Sequence, residues 1–266
     1  MMRLLVLGAR GKLACLLRAA WPESGEIEPV WLGADDQSRG LDLLNDTDQL
    51  ARAMTDADVI LNLAGVTRER GGRRFADNPA IAQNSLQCAD GRPVLLCSSA
   101  AVYGNTKALC HEDMPPAPLS AYGRSKQEME RIAQGFDNAI CLRMCNVAGA
   151  DALLAQDRDA YRLDQFPDGS FPSRSYIGPH HLALILQELA TITAKGHALP
   201  DRLNLAADPP VTMDALLSEA GKTWTPVPAP PEAIAQVHLD ISRLTNLIAT
   251  KSPYPSVIED LNALKG

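Results

Sequence analysis

The sequence predicts an α/β fold: a doubly wound parallel sheet carrying a small carboxy-terminal lobe. Three observations lead there. Short apolar runs alternate with stretches of helical periodicity as far as Leu205, the pattern of strands buried between two helical layers. The first apolar run enters a glycine turn directly, and beyond Asp208 the alternation gives way to short helical stretches separated by prolines.

Met2–Leu7 reads as a buried strand that runs into Gly8-Ala9-Arg10-Gly11-Lys12-Leu13-Ala14. Gly8 would permit the sharp turn, Gly11 would let the backbone approach a pyrophosphate, and Ala14 would let helix and strand pack closely, with free N–H groups of the first helical turn facing phosphate. Further strands are expected at Val30–Leu32, Val59–Leu63, Val94–Cys97, Ile140–Met144 and Leu203–Leu205. The clearest helices between them are Asp48–Met54, Ala121–Gln134 and His181–Ala194. These divide the chain into a dinucleotide-binding core, residues 1–147, to which 176–206 return, and a substrate lobe from 148–175 and 207–266. In that lobe Met213–Ala220 and Ser256–Leu264 are short helices, and the proline-rich Trp224–Pro231 is an extended connector rather than an element.

With 266 residues, 46% of them hydrophobic, the chain can bury a full core. A net charge of -7 with no long Lys/Arg stripe argues against nucleic acid and for a small-molecule partner. The apolar run Leu4–Leu7 is too short to span a membrane or to serve as a signal peptide, so a cytoplasmic protein without membrane contact is expected. Six cysteines (Cys15, Cys88, Cys97, Cys110, Cys141, Cys145) form no C-x-x-C pair, implying neither a disulfide framework nor a metal site.

The chemistry-bearing residues fall in two segments, Ser98-Ser99-Ala100-Ala101-Val102-Tyr103-Gly104 and Tyr122-Gly123-Arg124-Ser125-Lys126. Four-residue spacing on a helix places Tyr122 and Lys126 on one face, where the ammonium would lower the phenol's pKa and make it a usable acid/base. A Tyr and a Lys four apart are also common on solvent-facing helices; the glycine turn upstream supplies the context for carbonyl–alcohol redox chemistry.

With these residues in place, the chain resembles the extended short-chain dehydrogenase/reductases, the NAD-dependent epimerase/dehydratases. The motifs run in order along nearly its whole length: the turn at Gly8, Asn62-Leu63-Ala64-Gly65 after the fourth strand, Ser98–Gly104, Tyr122–Lys126 and Leu142–Gly149, then Arg174–Ile177, Leu203–Leu205 and Asp240–Leu244. The resemblance implies a Rossmann-type sheet and an NAD(P)-dependent oxidoreductase or epimerase acting on a hydroxyl or keto carbon of a sugar or nucleotide-sugar. It makes Ser99 the serine that orients the carbonyl, Tyr122 the proton donor or acceptor, and Lys126 the residue that holds the nicotinamide ribose. It places Gly8, Arg10, Gly11, Lys12, Leu13, Asp42, Leu63, Ala64, Gly65 and Asn84 at the cofactor, with Ser99, Ala100, Asn146 and Arg174 at the substrate. Arg174 would offer a bidentate fork to a diphosphate. Relatives often dimerise through the helices bearing the Tyr-Lys pair, so a homodimer is implied.

Departures from the family pattern narrow the reaction. Dehydratase relatives carry an acidic pair after the catalytic Ser/Thr, and relatives that epimerise beside a carbonyl use a cysteine there; this chain has Ala100 and Ala101. Hydride transfer remains. The helix between Asn84 and Val94 reads as shortened to Ser85–Gly91, and the nucleotide-cradling segment between Gly149 and Arg174 is short. Those trims leave open a non-catalytic NAD(P)-binding sensor or assembly factor, or a reductase of a small non-sugar ketone. Val30-Trp31-Leu32 ends in Gly33-Ala34 where NAD users place an acid, with Asp35 and Asp36 late and Arg10 in the turn, which leans toward NADP. The basic loop Arg68–Arg74 is either a solvated loop or a collector of anionic substrate. His180 and His181 suit a helix start better than a metal site.

Overall fold

The computed structural model describes residues 1–33, 40–155, 158 and 160–264; Ala34, Asp35 and Asp36 lie outside them. In chain order its strands are β1 (Met2–Leu7), β2 (Ile27–Trp31), β3 (Val59–Asn62), β4 (Val94–Ser99), β5 (Ala139–Met144), β6 (Asn146–Val147), β7 (Tyr161–Gln165), β8 (Ser173–Arg174), β9 (Tyr176–Ile177), β10 (Arg202–Leu205), β11 (Val211–Thr212), β12 (Trp224–Pro228) and β13 (Gln236–Val237). The α-helices are α1 (Lys12–Ala20), α2 (Thr47–Met54), α3 (Asp77–Cys88), α4 (Ala121–Ala133), α5 (Pro179–Ala194), α6 (Met213–Glu219), α7 (Ser242–Leu247) and α8 (Val257–Ala263).

Six strands pair in parallel in the order β10-β5-β4-β3-β1-β2. Strand side chains alternate between faces, and the core divides accordingly. Leu4, Val6, Val59, Leu61, Leu95, Ile140 and Leu142 pack on the side of α1 and α5 with Leu17, Leu182, Leu186 and Leu189. Leu5, Leu7, Ile60, Val94, Leu96 and Cys141 face α2, α3 and α4 through Leu50, Met54, Leu86 and Met129. The order reverses between β1 and β3, so the crevice at their carboxyl ends is the place where such sheets receive ligands.

Three expectations are corrected. Asn62 ends the third strand of the chain, not the fourth: Gly40–Asp46 forms turns, and among the described residues no strand lies outside β2. As an edge strand, β2 can accommodate Pro29 opposite Leu4. Nor is the helix before Val94 trimmed to Ser85–Gly91, since α3 begins at Asp77 and carries Asn84 in its body. Finally, Trp224–Pro228 is a strand, paired in parallel with Tyr161–Gln165; the pair has no third strand, so two prolines are tolerated at its edge.

The short elements beyond the sheet have cores of their own, with Tyr161, Leu163 and Leu217 in one cluster and Tyr176, Leu216 and Ile258 in another. No described helix is long and apolar enough to cross a membrane. The six cysteines are free.

Candidate active site

Ser99 ends β4, where its Oγ accepts the Ala101 N–H at 3.2 Å and so folds the following residues, Ala100–Val102, into a single 3-10 turn. Helix α4 is capped by Ser120, whose Oγ accepts the Gly123 N–H at 2.9 Å. Gly123 lets the helix sit close to that turn: a Cβ there would lie 2.6 Å from the Ala101 carbonyl oxygen and 2.9 Å from Pro118 Cβ. This approach brings Tyr122 beside Ser99 in the wall of one pocket, where the serine hydroxyl acts to lower the phenol's pKa. One turn on, buried Lys126 donates from Nζ to the Cys97 carbonyl at 2.6 Å, and Nζ lies 5.9 Å from the Tyr122 ring centre.

The electrostatics depart from the expected coupling. Burial pushes the Tyr122 phenol well above its ordinary value and the nearby Cys97 adds to this; the Ser99 hydroxyl is what opposes it. Burial pulls the Lys126 ammonium down, against the opposing influence of Cys97, Cys141 and Glu130. In this geometry Ser99, rather than the ammonium, is the group that lowers the phenol.

One cavity opens on this cluster and a second approaches it through Gly65. The smaller, about 300 Å³, is lined by Ser99, Ala100, Tyr122, Asn146 and Arg174 together with Leu119, Met144, Cys145, Ile234 and Val237. Half-buried Arg174 donates to the carbonyls of Ser173 (2.8 Å), Ala235 (3.1 Å) and Ile234 (2.7 Å), and burial lowers its pKa. Asn146 is paired in register with Tyr176, whose hydroxyl donates to Asp151 at 2.9 Å.

The larger cleft, about 650 Å³, runs over the sheet's switch point and is lined by Gly8, Arg10, Gly11, Asp42, Leu63, Ala64 and Gly65, and by Arg70 and Arg73. Gly8 has φ +82°, and a Cβ on it would meet Ala64 at 2.7 Å. Helix α1 begins after Gly11 with no side-chain cap, leaving its first N–H groups free for an anion. Gly65 closes the distance to the Ser99–Tyr122–Lys126 cluster, since a Cβ there would lie 3.4 Å from Lys126 Nζ. A glycine-lined cradle ending at the lysine fits a dinucleotide.

Of the remaining cofactor candidates, Lys12, Leu13 and Asn84 sit around this cleft rather than in its lining, whereas Asp42 lines it. Lys12 Nζ bonds the Ala155 carbonyl, and Leu13 packs against the core. Asn84 donates to the Leu43 and Leu44 carbonyls at 2.9 and 3.1 Å, tethering the loop that lines the cleft. Asp42 accepts from Leu44 N–H and Asn45, and these bonds hold its carboxyl below the usual range. The basic loop lies at the dinucleotide cleft, away from the smaller pocket. His180 and His181 stand at the start of α5, where their N–H groups donate to Asp260, and no metal-binding cluster exists among the described residues.

Two buried asparagines were not legible as site residues. Asn62 accepts the Ala64 N–H at 2.9 Å, and Asn78 clamps Val66 through its N–H (2.6 Å) and carbonyl (3.1 Å) while donating to Ser125 of α4. Together they fix the Leu63–Gly65 loop between the sheet and α4. A polar residue closing an apolar run, as Asn62 does, is the one sequence signal that pointed to them.

The model of the NAD dependent epimerase/dehydratase family matches residues 4–163. The chain belongs to this family. A search of curated protein sequences finds no significant match. Among solved structures, the chain is similar to a UDP-glucose 4-epimerase from Brucella ovis in complex with NAD (TM-score 0.80, 15% identity, 98% of this chain and 97% of that one). It is also similar to RMD from Pseudomonas aeruginosa complexed with NADPH (0.77, 18%, 99% and 97%). A third is UDP-glucuronic acid 4-epimerase from Bacillus cereus with UDP-glucuronic acid and NAD (0.74, 20%, 98% and 97%). At these identities the likeness establishes the family's fold: a parallel sheet with helices on both faces.

Proposed function

We propose that this protein is an NAD(P)-dependent oxidoreductase or epimerase that moves hydride at a hydroxyl or keto carbon of a sugar or nucleotide-sugar. The observation that carries the reading is the convergence of Ser99 and Tyr122 in the wall of the smaller pocket, with Lys126 one helical turn away and close to Gly65 of the larger cleft. A bound dinucleotide supplies the hydride donor or acceptor. Gly8, Gly11 and Gly65 give its backbone-hugging path, and Lys126 faces the end nearest the reacting carbon. Ser99 orients the carbonyl oxygen by hydrogen bonding, and Tyr122 delivers the proton to that oxygen in reduction or removes it from the hydroxyl in oxidation. NADP is favoured over NAD by Arg10 at the cleft and by Gly33 following β2. The lobe from residues 148–175 and 207–266 supplies Arg174 to the substrate side, and a cytoplasmic homodimer through the α4 surface completes the proposal.

A second reading, reduction of a small non-sugar ketone, is favoured by the smaller pocket itself. Its 300 Å³ lies at the low end for ligand sites, much of its wall is apolar, and Arg174 already spends N–H groups on three carbonyls.

Fluorescence titration with NADH and NADPH, followed by turnover screens over keto-sugars, nucleotide-sugars and small ketones, tests both readings. Tyr122→Phe should still bind dinucleotide but lose about 10²–10⁴-fold in turnover. Tight binding with no turnover across the screen, or turnover unchanged in the variant, would overturn the enzyme reading in favour of a sensor. Turnover confined to small ketones would select the second.

A further inference from the structure

We infer that Arg70 and Arg73 form a phosphate clamp on the dinucleotide, rather than a collector of anionic substrate; the inference rests on the cofactor reading above. Arg70 and Arg73 are bridged antiparallel across a tight turn, with the Arg73 N–H donating to the Arg70 carbonyl at 3.1 Å. Its two central residues, Gly71 and Gly72, have φ +57° and +81°, the left-handed pair that a two-residue hairpin of this hand requires. Residues directly opposite each other in such a pair project to the same side. Here that side lines the dinucleotide cleft, which also contains Arg10 and the Gly8–Gly11 turn.

Two like charges placed opposite one another repel and destabilise the pair unless something of opposite sign lies between them. No described carboxylate does. Glu69, the adjacent acid, accepts the Phe75 N–H, and Asp77, the acid at the cleft's edge, accepts the Arg74 N–H. Among the described residues neither Arg70 nor Arg73 has an ion-pair partner. Asp42, whose carboxyl Arg73 influences only weakly, is spent on its own turn. The hairpin thus presents two exposed guanidinium groups across the cleft from the uncapped start of α1, and planar guanidinium donors suit phosphate oxygens. Phe75, at the end of the same loop, packs 6.0 Å from the Tyr122 ring, which holds the hairpin's base beside the catalytic helix.

The phosphate could be the pyrophosphate shared by both dinucleotides or the 2′-phosphate of NADPH alone. Titration of NADH and NADPH into wild type, Arg70→Gln, Arg73→Gln and the double variant, without substrate, separates them. The double variant should bind about tenfold more weakly, and the affinity that remains should depend less on salt. Equal losses for NADH and NADPH assign the clamp to the pyrophosphate; a loss confined to NADPH assigns it to the 2′-phosphate. The unliganded double variant should melt no lower than wild type, because repulsion is relieved. Wild-type affinity in the double variant, or a lower melting temperature, would overturn the clamp while leaving the redox reading standing. A wild-type protein that binds neither dinucleotide would remove both.

Discussion

Tyr122 is held between burial, which keeps its proton on, and the Ser99 hydroxyl, which favours its release. A phenol pushed upward stays protonated through neutral pH and so stands ready as the acid for carbonyl reduction. Alcohol oxidation needs the phenolate, whose population grows as pH rises toward the raised pKa. Oxidation should therefore accelerate from neutral to alkaline pH while reduction stays flat over the same interval. Ser99→Ala removes the one group that lowers the phenol, so its oxidation limb should move to higher pH, with turnover falling as well. Steady-state rates in both directions across the pH range check this, and an unmoved limb would show that Ser99 acts on substrate alone. At this scale the sequence indicated which side chains would gather near one another but not how they couple. The four-residue spacing of Tyr122 and Lys126 was visible; that Lys126 Nζ would settle on the Cys97 carbonyl depends on the depth of α4 against β4, a packing distance no local pattern encodes.

At the level of elements, the approach of α4 to the turn after β4 depends on Gly123, which stands between the two halves of the motif as a spacer with no side chain. Gly123→Ala would force its Cβ against the Ala101 carbonyl and Pro118, moving Tyr122 off Ser99. A displacement of about 1 Å can cost about 10²-fold in rate, so turnover should fall by that order while dinucleotide binding persists. Helix α5 shows a comparable dependence on distant chain. Pro179 opens it, preceded by Gly178, which provides no side-chain cap; the cap comes from Asp260 of α8, which accepts the His180 and His181 N–H groups at 2.9 and 3.0 Å. The carboxylate occupies the space a Cβ on Gly178 would need, 2.1 Å away. Asp260→Ala should cost about 1–2 kcal/mol of stability, read from urea unfolding, and Gly178→Ala should destabilise by the same route. The α5 pattern itself was legible from its apolar spacing, as were the core strands. The cap was not, because its donor and acceptor lie some 80 residues apart, and β12 was hidden because prolines mask a strand that, among the described residues, pairs with β7 alone.

Across the whole molecule, one buried polar network ties α4 to the rest of the fold. Glu130, one turn beyond Lys126, accepts Arg143 through Nε at 3.0 Å and Nη2 at 2.7 Å, and Ser98 Oγ at 2.5 Å. Arg143, fully buried in β5, also donates to Tyr103 and to the Glu112 carbonyl. Tyr103 donates to Asn204 of β10, whose amide reaches the carbonyls of Cys110 and Asp240. Helix, sheet and the chain leading to α7 are thereby joined by largely buried bonds. Burial works against the Arg143 charge, but the hydrogen bonds and charge of Glu130 more than offset it and push its pKa up. Arg143 and Asn204 were visible only as polar interruptions in apolar strands; their common destination is a property of the assembled sheet. Glu130→Gln keeps the shape but leaves a buried guanidinium without its counter-charge, which should cost about 3–5 kcal/mol. Because the network spans both parts of the chain, the loss should lower the midpoint of a single cooperative urea transition. If instead only the elements beyond Asp208 unfolded early, the network would be local packing, and its joining of the two parts would be refuted.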